Sequence, residues 1–61
     1  METLSEKELS LIKDGLSEEQ LLVKKYQLLA QMTTEPETSA KFREISQRHQ
    51  EHFNSLYALL G

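Results

Sequence analysis

Three side chains in this sequence have the types and spacing to hold a cation together: Glu19, His49 and His52. Two imidazoles three residues apart in a helical segment lie on one face, about 60° apart and one turn up. Both fall where the surrounding pattern calls for apolar residues, so both need polar partners if they are buried. Imidazole and carboxylate together suit zinc, copper, nickel or ferrous iron. The same trio could instead satisfy itself as a buried hydrogen-bond network with no metal at all. Glu19 has a further reading, as the partner of a neighbouring lysine close to Gly15.

The elements that must position them are two helical stretches. The first spans about residues 4–33. Thr3 and Ser5 are both plausible N-caps, each followed three residues later by a glutamate, Glu6 or Glu8. Leu9, Ile12, Leu16, Val23, Tyr26 and Ala30 recur at alternating steps of three and four, with Glu19 filling the gap in the series. A second row (Leu11, Leu22 and Leu29, with Leu21 and Leu28 beside it) makes the stripe wider than a two-helix seam needs. Asp14-Gly15 followed by Ser17-Glu18-Glu19-Gln20 could mark a break and a fresh start. The seam keeps its phase across Gly15, however, and one continuous helix is expected.

Thr33 to Thr38 is the only cluster of breakers, with a loop at about 34–36 and Pro36 suited to a first helical turn capped by Thr34 or Glu35. The second helix is expected over about 37–60, ending at Gly61. Its seam reads Phe42, Ile45, His49, His52, Leu56 and Leu59, flanked by Phe53 and Leu60. With the fold-back near Thr34 and Glu35, Glu19 lies roughly 15 residues before it, His49 about 15 after and His52 about 18 after. At about 1.5 Å per residue the three share one level.

Composition narrows the rest. Sixty-one residues make at most one small helical-hairpin domain, which usually needs a disulfide, a metal or a partner chain. Cysteine is absent, leaving histidine and carboxylate ligands, oligomerisation, or both. The net charge of −3 argues against nucleic acid and anionic membranes, and no stretch is long and apolar enough for a membrane span or leader. No nucleophile triad or phosphate loop is present. The fold class is all-α: an antiparallel two-helix hairpin whose wide stripes call for a second copy, giving a homodimeric four-helix bundle. Glu18, Glu44 and Glu51 read as solvated, and Lys24, Lys25 and Arg48 as surface charges, with Glu44 and Arg48 an (i, i+4) pair.

Glu19-(x6)-Tyr26, followed by Phe42-(x2)-Ile45-(x3)-His49-(x2)-His52, resembles half of a ferritin-like, rubrerythrin-type bundle. Leu21-Leu22-Val23-Lys24-Lys25-Tyr26 and Gln47-Arg48-His49-Gln50-Glu51-His52 are similar to stretches of the small spore coat F-type proteins of that fold. The resemblance covers roughly residues 16–60. It implies a bacterial spore-forming source, a cytoplasmic or spore-coat location, and coat or assembly proteins as partners. It also implies metal ligation by Glu19, His49 and His52, with Tyr26 a candidate to hydrogen-bond a ligand. His49 stands where that family has a glutamate. A dimer would then offer two carboxylates and four imidazoles, poorer in anionic bridges for a di-ferric state, so iron, zinc, another divalent metal or none all stay open.

Three functions compete. One is a structural or assembly protein whose polar cluster fixes register. The second is a metal-binding bundle, with redox chemistry open, and the third a helical module for a larger partner.

Overall fold

Ser5 starts the fold. In the computed structural model, which describes residues 4–61, its Oγ accepts the Glu8 N–H at 3.1 Å while Glu8 Oε1 accepts the Ser5 N–H at 3.0 Å. This reciprocal capping box opens α1 (Glu6–Met32). The alternative cap, Thr3, lies outside the described residues. α1 runs unbroken through Gly15, so the capping signal at Ser17 goes unused. Gly15 has a packing role: a Cβ there would come within 3.1 Å of Leu56 Cδ1, at the point where the end of the second helix closes on α1.

Thr33 leaves helical geometry at φ −85°, ψ 140°, and its Oγ1 accepts the Glu35 N–H at 3.3 Å. Pro36 then opens α2 (Pro36–Ala58), where its missing N–H costs nothing because first-turn N–H groups have no helical partner. Glu35 is the N-cap residue, but its side chain makes no capping bond. Among the described residues there is no strand; the two helices pack against each other as an all-α hairpin. Its Cα atoms extend over 47 × 16 × 10 Å, a single layer two helices wide.

The face of α2 that meets α1 differs from the expected seam. Ser39 and Ser46 are buried and Phe42, Ile45, His49, Phe53 and Leu56 partly so, whereas His52 and Leu59 are exposed. Small size and a local acceptor account for the two serines. Ser39 Oγ donates to the Ala30 carbonyl at 2.7 Å, and Ser46 Oγ donates to the Val23 carbonyl at 3.0 Å. Each hydroxyl thereby bonds backbone on the facing helix, and among the described residues no buried polar side-chain atom is left unpaired. At these positions the helices approach closely enough for a serine hydroxyl to reach the facing backbone, a bond that a larger apolar residue would lose. Ser46→Leu should therefore cost about 1–3 kcal/mol through overpacking and loss of the cross-helix bond, read from the urea midpoint. Stability equal to the parent's would show that the helices can separate there without penalty.

Charges outside the interface act locally. The Ser5 N–H bond holds the Glu8 carboxyl below its ordinary 4.5. The Arg48 hydrogen bond, then the Lys41 charge, do the same for Glu44. A depressed carboxyl contributes stability that is fully present above the unfolded value and lost as pH falls through the folded one. Urea midpoints should therefore fall as the solution is acidified below about 4.5, and Glu8→Gln should flatten part of that fall. An unchanged slope in Glu8→Gln would remove the capping box from the account.

Candidate metal centre

Mid-hairpin, Glu19 projects from α1 and His49 and His52 from α2. Glu19 Oε2 lies 2.9 Å from His49 Nδ1 and 3.3 Å from His52 Nδ1. An ionised carboxylate only accepts, so the His49 Nδ1–H donates to it. Burial is uneven. The Glu19 and His49 side chains are 17% and 21% exposed and that of His52 is 62% exposed. Glu19 and His49 thus form the inner pair, and His52 closes the group from the solvent side.

Packing fixes the inner imidazole. The Tyr26 ring stacks on His49 with centroids 5.8 Å apart and planes 13° from parallel, and Phe42 lies 6.0 Å beyond Tyr26. Tyr26 therefore contacts the site through its ring face, one heptad along α1 from Glu19. His52 meets His49 edge-on at 5.6 Å. Lys25 Nζ lies 5.9 Å over the Tyr26 ring, and Arg48 is held away by Glu44 at 3.3 Å.

The donor set can be tested against a cation. One donor atom from each of the three residues can be chosen so that all lie within 4.8 Å of one another. Ligands about 2.1 Å from a metal sit about 3.0 Å apart at adjacent octahedral positions and about 3.4 Å apart in a tetrahedron. The two distances to Glu19 Oε2, 2.9 and 3.3 Å, already match those spacings. The third edge lies within 4.8 Å, and it ends on His52, whose side chain is exposed. A divalent ion in place of the bridging proton would need the Nε2–H tautomer of each Nδ1-bound ring, and His52 Nε2 can take that proton into water.

Sequence reasoning missed Ser39 and Ser46, and placed Phe53 only beside the seam. Their signal is the seven-residue spacing Ser39–Ser46–Phe53, running parallel to Phe42–His49–Leu56. Comparison with family models, curated proteins and solved structures finds no match to this chain.

Proposed function

We propose that this protein is a small metal-binding helical hairpin that works as a pair, two copies forming a four-helix bundle of ferritin-like type around Glu19, His49 and His52. The convergence of a carboxylate and two imidazoles from two helices on one point carries the metal reading. Zinc, ferrous iron, copper and nickel all suit such donors. A bound divalent ion there would supply Lewis acidity, and the residues that would hold it are these three.

The pairing rests on surface area. A compact 7.1 kDa chain is expected to expose about 4,100 Å². This hairpin exposes 5048 Å², an excess close to the roughly 800 Å² per partner of a standard interface. Among the described residues, only Ile12, Val23 and Ala30 are buried apolar residues. With a period of 3.6, Leu11, Leu22 and Leu29 on α1 flank the same side of the hairpin as Ile45, His52 and Leu59 on α2. The opposite groove is lined by Gln27, Gln31, Arg43 and Gln47. A second copy on the apolar side would also cover His52.

A second reading is the assembly protein of coat type, associated with spore coat or other assembly proteins, in which the trio is a polar lock. The direct Glu19–His49 hydrogen bond, which gives each side chain a partner on the facing helix, favours it. Zinc added to chelator-treated protein separates the two. Under the metal reading, zinc at a hundredfold excess over Kd raises stability by about 2.7 kcal/mol, and His49→Leu/His52→Leu abolishes the gain. Under the lock reading, zinc changes neither protein.

A further inference from the structure

The side of the hairpin turned away from the apolar flank carries a groove that involves none of Glu19, His49 and His52. Two clefts of about 760 and 310 Å³ lie along it between α1 and α2, and both are lined by Gln27. Steps of three and four along α1 set Gln20, Lys24, Gln27 and Gln31 in one rail. Arg43, Gln47 and Gln50 form the facing rail on α2. Between the rails lie Val23, Ala30 and Ser46, whose hydroxyl already donates to the Val23 carbonyl. Gln50 gives one amide hydrogen to Asn54 at 3.0 Å, and among the described residues the other rail amides have no partner within the chain. The charge of the groove is one-sided. Glu44 at its rim is held by Lys41 and Arg48, whereas Lys24 and Arg43 pair with no carboxylate among the described residues. The Ser39–Ala30 and Ser46–Val23 bonds fix the register of the helices. By that register Lys24 and Arg43 stand on opposite rails within about 3 Å of one level, near the middle of the groove.

We propose that this groove binds an extended segment of another polypeptide, about five residues long, with an acidic side chain at its centre. The reading is independent of any metal. A glutamine amide offers donors and an acceptor together, as each peptide unit does. Rails of such amides on both sides therefore match the N–H and C=O groups that an extended chain directs to its two edges. The rail steps, about 4.5 and 6 Å, come close to the roughly 6.6 Å repeat of same-side groups in a strand. From Gln20 to Gln31 the rail runs about 16 Å, the length of about five extended residues. A helical occupant would satisfy its main chain internally and leave the amides unused. Lys24 and Arg43 set the charge and its place: one carboxylate midway along the segment meets both. The net charge of −3 of the chain as a whole leaves only this local positive spot, which suits a single acidic side chain and not a polyanion.

The probe is the peptide Ala-Ala-Asp-Ala-Ala, acetylated and amidated so that its aspartate is its only charge, titrated into the isotope-labelled full chain and followed by NMR. The side-chain amide signals of Gln27, Gln31, Gln47 and Gln50 should shift saturably. The same peptide with asparagine at its centre should bind about tenfold more weakly, the worth of a charge-assisted bond over a neutral one. Lys24→Gln/Arg43→Gln changes two exposed positions and should keep the parent's helical circular dichroism while erasing that tenfold preference. Equal affinity of the parent for the two peptides would overturn the proposal. So would the absence of saturable shifts at millimolar peptide, or shifts centred on Leu22 and Leu29 in place of the glutamines. A mass in solution above that of a pair, lowered by Lys24→Gln/Arg43→Gln, would assign the groove to another copy of this chain and overturn it as well.

Discussion

Replacing Glu19, His49 and His52 together by leucine should make the metal-free protein more stable than the parent, by about 1–4 kcal/mol. Replacing His49 alone by leucine should destabilise it by about 1–3 kcal/mol. The opposite signs have one cause. Glu19 is only 17% exposed, and its 2.9 Å bond to His49 is its best compensation for lost water. Removing His49 leaves the carboxylate with the exposed His52 at 3.3 Å. Removing all three groups abolishes the desolvation cost itself, and leucine at position 52 joins Ile45 and Leu59 on the apolar side. Partial exposure places both effects in the lower half of their ranges. Urea unfolding in the presence of a chelator reads them. A triple variant weaker than His49→Leu would mean that the polar trio is a net stabiliser in its own right, and would favour the lock over the metal site.

The pairing of hairpins predicts a larger effect still. Leu11, 60% exposed, and Leu22, partly buried, lie three turns apart on the apolar side of α1. Leu11→Glu/Leu22→Glu should halve the mass in solution from twice 7.1 kDa to 7.1 kDa. With so few buried apolar residues, the freed hairpin should also lose most of its helical circular dichroism at room temperature, since a chain this small rarely stands alone. Gln27→Glu/Gln31→Glu, on the polar groove, should leave both mass and helicity as they were. A dimer that survives the leucine changes and dissociates with the glutamine changes would place the interface on the other side.

Much of this architecture was legible in the sequence because it depends on local rules. Ser5 with Glu8 announces the start of α1, and Pro36 after the threonines announces the start of α2. The level shared by Glu19 and His49 follows from counting residues on either side of the turn, and the structure brings them to 2.9 Å. Three helix ends fall one or two residues inside the expected bounds and α2 starts one residue earlier than expected, at Glu6–Met32 and Pro36–Ala58, because terminal turns lack the packing that fixes inner ones. The face of α2 was less legible. Hydrophobicity selected His52 and Leu59, yet the helices meet through Ser39 and Ser46. A serine reads as polar until a carbonyl is found within reach on the facing helix, which only the three-dimensional arrangement supplies. His52 was placed on the seam by the same count. In the hairpin it lies beside that seam, close enough to Glu19 to join it and exposed enough to face a partner.

Metal content, measured by elemental analysis on protein purified without a histidine tag and paired with its mass in solution, tests the central claim most directly. The account predicts a dimer carrying one divalent ion per chain, with the ion lost when His49 and His52 are replaced. A metal-free dimer that takes up neither zinc nor ferrous iron when they are supplied would contradict it, and would leave Glu19, His49 and His52 as a polar lock between two helices.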